Sequence, residues 1–199
     1  MERTTSRWAS ISCVLLAVAV AVGGCSFDSG LHGVAVTPPR DVPAFAFTRT
    51  DGSVYRTGAE AGGDRPMVLF FGYTHCPDVC PTTLMDWKRV KQELGKDASR
   101  VRFVFVTVDP ERDTREVVDE YAKQFDPSFV GLSGDSATTA GIQEAFGVAA
   151  VRESSTSAAG YVMSHSSQVF LVDPRGRLVV LYAFGTGWDA LLADLKQLL

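Results

Sequence analysis

This chain is poor in the residues from which metal and redox centres are built, with four cysteines and three histidines among 199 residues. Cys13 and Cys25 fall within or at the end of an N-terminal leader, so Cys76 and Cys80 are the only thiols of the remaining chain. A bridge between them would close too short a loop to restrict the unfolded chain much, and a domain this large can build its core without one. The pair is therefore read as functional. A structural zinc site needs a fourth closed ligand beyond two cysteines and a histidine, and the sequence offers no obvious one. The net charge of -4 leaves no basic excess and argues against nucleic acid as a partner. Internal repeats are absent. The apolar run from Ile11 to Val22 is too short for a confident transmembrane span.

What is present starts with that leader. Arg3 and Arg7 precede the apolar run, which ends in Val22-Gly23-Gly24-Cys25. Residues 1–24 have the form of a signal peptide, and their ending resembles the lipobox of bacterial lipoproteins. The resemblance implies cleavage before Cys25 and lipidation of that cysteine, placing the protein outside the cytoplasm on the bacterial cell membrane. Residues 25–42 carry Gly30, Gly33, Pro38 and Pro39 without a sustained period and read as a lipidated tether, with His32 solvated inside it. The rest, 43–199, suits one globular domain, since 46% of the chain is hydrophobic and 21% charged.

Within that domain, Phe45 onward predicts a short hairpin turning at Asp51-Gly52. Met67 to Gly72 and Val101 to Val108 are continuous apolar runs, the pattern of strands buried on both faces. Helices are expected from the Cys80 region to Leu94 with Pro81 in the first helical position, from Thr114 to Phe125 capped by Asp113 or Thr114, from Ser136 to Phe146, and from Trp188 to Leu199. A short strand is expected at Phe129 to Leu132, a loop from Arg152 to Gly160, and a hairpin of Gln168 to Val172 with Leu178 to Tyr182. Strand and helix alternate and the chain closes on a hairpin and a helix, which predicts an α/β sandwich with a mixed sheet.

Cys76-Pro77-Asp78-Val79-Cys80 lies where the first apolar strand gives way to a helix. The unpaired N–H groups and positive dipole end of that helix favour an anion, so the Cys80 thiolate is expected to form more easily than a free one. Two thiolates on adjacent turns can face one ion, and thiolate is the soft donor that selects Cu(I).

Three segments then coincide: Gly72 to Leu84 (GYTHCPDVCPTTL), Val108 to Thr114 (VDPERDT), and a lone His165 eight residues before Asp173. Together they resemble the SCO/SenC family of thioredoxin-like copper proteins, over about residues 43 to 199. The resemblance implies a thioredoxin-like fold and copper, as Cu(I) and Cu(II), held by Cys76, Cys80 and His165. It also implies a metallochaperone that assists assembly of the dinuclear copper centre of cytochrome oxidase. Its partners would be a copper-containing oxidase subunit and a copper donor protein. One departure is local: many relatives have an aspartate just before the histidine, where this chain has Ser164.

Blander roles remain open beside these. The cysteines can act as a redox-active pair that forms a disulfide, in a reductase that keeps oxidase copper-site cysteines reduced. Against this stand the CxxxC spacing and the lack of any proline between Pro127 and Pro174, where thioredoxin-like enzymes present one to the thiols. His165 can be a hydrogen-bonded loop histidine, and His75 is expected to point away from Cys76 as scaffold. Asp78 can cap the helix or shape access to the metal. Asp109 and Asp113 read first as strand-ending and helix-capping residues, and otherwise as supports of the metal site. Phe70, Phe71, Tyr73, Phe103 and Phe105 read as core.

Overall fold

The two continuous apolar runs form the centre of the sheet. In a computed structural model, which describes residues 30–58, 65–155 and 160–199, they are the parallel strands β4 (Met67–Gly72) and β5 (Arg102–Thr107), every residue of which is buried. The expected signal peptide and Cys25 lie outside the described residues. Around this pair runs a six-stranded mixed sheet in the order β1-β10-β9-β4-β5-β6, with β1 Val34–Asp41, β6 Val130–Leu132, β9 Val169–Val172 and β10 Arg177–Tyr182. Strands β5 and β6 are parallel, while β9 runs antiparallel to β4, β10 to β9 and β1 to β10. The expected N-terminal hairpin is β2 (Ala46–Thr48) with β3 (Val54–Arg56). A separate hairpin, β7 (Ala150–Ser154) with β8 (Tyr161–His165), stands apart from the main sheet. The mixed sheet flanked by helices, with its N-terminal hairpin, is the expected thioredoxin-like α/β sandwich.

The helices are α1 (Val79–Leu94), α2 (Arg115–Phe125), α3 (Ser136–Phe146) and α4 (Trp188–Leu198), with a 3-10 turn at Gly95–Arg100. Helix α1 presents Cys80, Leu84, Trp87, Val90 and Leu94 to the core at helical spacing. Trp87 meets Phe70, Phe103 and Phe129 there, at centroid distances of 6.4, 5.6 and 5.9 Å, tilted and edge-on contacts that favour aromatic pairs. Thr114 caps α2 by accepting from Val117 N–H, so the cap is Thr114 and not Asp113. Asp135 caps α3 through Thr138 N–H, and Gly147 ends it at φ 68°, a left-handed conformation that favours glycine.

Three sequence expectations are corrected. Residues 34–41, assigned to the tether, form β1 on the edge of the sheet, where Pro38 and Pro39 are tolerated beside an irregularity between Ala35 and Arg40. The fold therefore starts well before residue 43. His32 is not simply solvated: its backbone N–H and Nδ1 both meet the buried Asp194 carboxylate on α4, at 2.8 and 2.9 Å. The stretch expected as a loop from Arg152 to Gly160 instead continues β7 to Ser154, where Arg152, Glu153 and Ser154 are exposed, and residues 156–159 lie outside the described residues.

Candidate metal centre

Strand β4 ends at Gly72, and the chain turns through Tyr73 to Asp78 before α1 begins. A Cβ on Gly72 would lie 2.6 Å from Cys80 Sγ and 2.7 Å from Phe105 Cε2, so only glycine lets the cysteine sulfur sit against the strand. Cys80 is fully buried and forms the floor of the site. Cys76 is half-buried at the rim and its sulfur accepts from Cys80 N–H at 3.4 Å. Both are free thiols. Val79, not Pro81, is the first helical residue, and Asp78 occupies the N-cap position without a side-chain capping bond. The exposed Asp78 instead borders a recess of about 270 Å³ with Cys76, Met163 and His165.

His165 arrives from the other side, at the end of β8. Its Nδ1 lies 2.9 Å from the Ser166 carbonyl. A carbonyl only accepts, so Nδ1 carries the proton and Nε2 of the neutral ring keeps its lone pair. That Nε2 faces Cys80 Sγ at 3.9 Å. Edge-on contacts with Tyr73 and Phe70 hold the ring at centroid distances of 5.9 and 6.1 Å. Among the described residues, Cys76, Cys80 and His165 form the one cluster of at least three potential metal donors, with all three donor atoms within 4.8 Å of one another.

The two thiols differ in a direction opposite to the sequence expectation. The Cys80 thiol donates to the Cys76 sulfur, and the N–H groups of Asp78 and Cys80 add to that, so Cys76 is held down at about 4 despite its partial burial. Cys80 is pushed up by donating the same hydrogen bond, by burial, and by the charge on Cys76. The helix N-terminus favours an anion, but the sulfur that receives its N–H groups is that of the residue four positions earlier.

The remaining candidates brace the donors. Asp113, fully buried, accepts from Thr74 N–H (2.9 Å), Thr74 Oγ1 (2.6 Å) and Thr107 Oγ1 (2.6 Å), tying the cysteine turn to the end of β5. Asp109 pairs with Arg112 Nε at 2.5 Å and accepts from Tyr161 Oη at 2.9 Å. Arg112 Nη1 also donates to the Tyr161 carbonyl at 3.0 Å, and its guanidinium lies 3.6 Å from the centre of the Tyr161 ring. One short segment, Thr107 to Asp113, thus fastens the turn that carries the thiols and the hairpin that carries the imidazole. His75 stays out of the cluster, with Nδ1 3.1 Å from Thr74 Oγ1. Sequence reasoning missed Tyr161, Arg112 and Met163. Tyr161 and Met163 share the face of His165 by the two-residue period of a strand, a signal passed over because no strand was expected between the loop at 152–160 and Gln168.

The donor chemistry fits a soft cation. Bonds of the length that thiolate and imidazole make to a metal, at tetrahedral to trigonal angles, put the two donors about 3.6–3.8 Å apart, close to the 3.9 Å between Cys80 Sγ and His165 Nε2.

Comparison with known proteins agrees. This chain is 40% identical to the apo Sco1 protein of Thermus thermophilus, known from solution structures, covering 85% of this chain and 97% of that one at a TM-score of 0.74. It is 36% identical to ScoI of Bradyrhizobium japonicum, a structure with copper bound, covering 80% of this chain and 99% of that one at a TM-score of 0.71. Among curated proteins, the SCO2-like protein of Rickettsia felis is 37% identical over 111 residues, 55% of this chain and 54% of the relative. The chain thus spans about half the length of such curated relatives. Residues 36–199 match the SCO1/SenC family, and the chain belongs to it.

Proposed function

We propose that this protein is an extracytoplasmic copper metallochaperone, anchored by lipid at Cys25, that helps assemble the copper centre of a cytochrome oxidase. Copper is its cargo, and Cys76, Cys80 and His165 are the ligands. One observation carries the reading: two thiols and an imidazole of fixed tautomer, brought from two separate elements, converge within 4.8 Å. Family membership and the copper-bound relative support it. Thiolates hold Cu(I), and the added imidazole suits Cu(II).

The geometry also orders the exchange. Cys80 lies at the floor, whereas Cys76 and His165 are half-exposed at the rim. An acceptor's ligands therefore reach the cargo from the rim, displacing His165 or Cys76 first and Cys80 last. The polar braces from Asp109 and Asp113 limit how far the rim groups move while empty.

A reductase reading draws on one specific observation, the split between a low Cys76 and a raised Cys80, which is the asymmetry of an attacking and a resolving thiol. Anaerobic titration of the reduced domain with Cu(I) and Cu(II), followed by transfer to an oxidase copper domain, separates the two. Copper binding that is lost on oxidation of the thiols, loss of the Cu(II) thiolate charge-transfer band in His165→Ala, and copper delivery to the acceptor are expected. Electron transfer to the acceptor's cysteines without metal delivery would favour the reductase.

A further inference from the structure

Parallel strands β4 and β5 place the cysteines at their carboxyl end, and about 20 Å away, at their amino end, lies a second polar feature. A cleft of about 550 Å³ is lined there by Arg49, Arg65, Lys91, Lys96 and Arg102, with Tyr55 on one wall and, among the described residues, no carboxylate. In a chain of net charge -4, five cations around one cleft are a local inversion of sign. The ordinary reading is that lysines gather near the carboxyl end of a helix, here α1, and it accounts for Lys91 and Lys96. It does not account for the three arginines, which precede β4, begin β5 and follow β2.

Arg102 carries the argument furthest. It is 9% exposed, its Nη2 donates to the Arg65 carbonyl, and its Nε and Nη1 are buried without a hydrogen-bond partner. Arg49 Nε is likewise buried and unpartnered. Of the acids around the cleft, Asp97 pairs with Arg100 and Asp126 with Lys91. Among the described residues, Arg49, Arg65, Lys96 and Arg102 have no carboxylate within ion-pair distance. Buried charge without a counter-charge is strongly unfavourable, and buried charges in folded proteins are paired. Guanidinium groups with ammonium support are the usual receptors for phosphate.

The same end of the fold receives the N-terminal segment. Gln197, in the last turn of α4, donates to the Gly30 carbonyl, Arg100 donates to the Leu199 carbonyl, and Arg65 Nη1 donates to the Ser99 carbonyl. Gly30 is five residues from Cys25, a span of at most roughly 18 Å. On the lipid-anchor reading, this end cannot leave the headgroup region, and the thiols face away from it.

We propose that the cleft is a binding site for a phosphate group, supplied by an anionic phospholipid headgroup, which docks this pole of the domain on the membrane. The cleft then supplies a second, electrostatic attachment beside the lipid.

Residues 30–199 contain the whole sheet, its helices and its core, and the Thermus relative, nearly all of whose chain is covered, is folded in solution. This domain can be tested without the lipid. Cosedimentation would use vesicles of phosphatidylcholine alone and vesicles with equal parts phosphatidylglycerol. Wild type is expected to bind the second kind in a salt-sensitive way. Arg49→Gln/Arg65→Gln/Lys96→Gln, which spares the buried Arg102, should bind on the order of a hundredfold more weakly, about fivefold for each cation removed. A charge-matched control, Lys88→Gln/Arg89→Gln/Arg115→Gln, should lose far less, and circular dichroism establishes that each variant is folded. Equal loss in both triple variants, or no preference for phosphatidylglycerol, overturns the headgroup assignment. A parallel titration with inorganic phosphate identifies the source: phosphate binding sensitive to the cleft variant, without vesicle binding, keeps the phosphate site and rejects the membrane. The segment 59–64 carries Glu60 and Asp64. Binding seen only in Glu60→Gln/Asp64→Asn would assign the cleft to the chain's own carboxylates and overturn the proposal.

Discussion

Tyr161→Phe tests whether the imidazole is held in place by a polar lock rather than by the sheet. The β7–β8 hairpin shares no ladder with the main sheet, so its position depends on contacts such as the Tyr161 hydroxyl on Asp109 and the Arg112 guanidinium on the Tyr161 carbonyl and ring. Burial, then the bond to Asp109, pushes the Tyr161 phenol up, so it remains a donor throughout the neutral range. Removing the hydroxyl leaves Asp109 Oδ1 without its tyrosine donor, at a carboxylate that is 2% exposed. A hydrogen bond to a charged group contributes about 1.5–3 kcal/mol. If 2 kcal/mol of that falls on the docked hairpin, the Cu(II) complex, which uses the imidazole, weakens by up to roughly 30-fold. The Cu(I) complex can rest on two thiolates and should weaken much less. Competitive titration of both ions would be read beside amide exchange across residues 150–155 and 160–165, which should quicken in the variant. Unchanged exchange with an unchanged ratio of Cu(II) to Cu(I) affinity would refute the lock. An equal loss for both ions would mean that Tyr161 supports the whole site and not the histidine.

Much of the site was legible because each of its parts is local. Cys76 and Cys80 share one turn, and a continuous apolar run before them fixes where that turn falls. The length and burial of β4, β5, α1 and α3 follow from patterns within each segment. What escaped depends on contacts between distant segments. Strand β1 looked like a tether because Pro38 and Pro39 interrupt any period, yet an edge strand facing solvent tolerates them. Residues 152–154 of β7 looked like a loop because they face water and offer no apolar alternation. Asp113 read as a cap of α2 as readily as Thr114 did. Its carboxylate is taken by Thr74 and Thr107, and nothing in the local sequence reveals that bond. The thiol assignment failed for a related reason: the dipole argument fixes where negative charge is favoured, but which sulfur receives the N–H groups depends on the path of the turn.

Three further outcomes follow from the same geometry. With Cys76 held at about 4, its thiolate persists down to that pH, so alkylation of the apo protein at Cys76 should be nearly flat between about pH 6 and 8, where an ordinary thiol gains about tenfold per unit. Cys80→Ala removes the leading cause and should restore the dependence; a wild-type rate that climbs like a free thiol would contradict the assignment. Gly72→Ala places a methyl where Cys80 Sγ and Phe105 already sit, so urea unfolding should show a loss of about 1–3 kcal/mol, and an unchanged midpoint would mean that the sulfur is not pressed on the strand. The last outcome concerns the anchor. The Val22-Gly23-Gly24-Cys25 ending resembles a lipobox, and Gly30 already meets Gln197 of α4, so a lipid on Cys25 would lie within five residues of the domain. Cys25→Ser should therefore block lipidation and normal signal cleavage, altering how the domain is held at the membrane. Mass spectrometry of the mature N-terminus measures this directly. A wild-type protein that begins elsewhere than Cys25, or begins there unmodified, would remove the lipid anchor and with it the reason for the basic cleft to face a membrane.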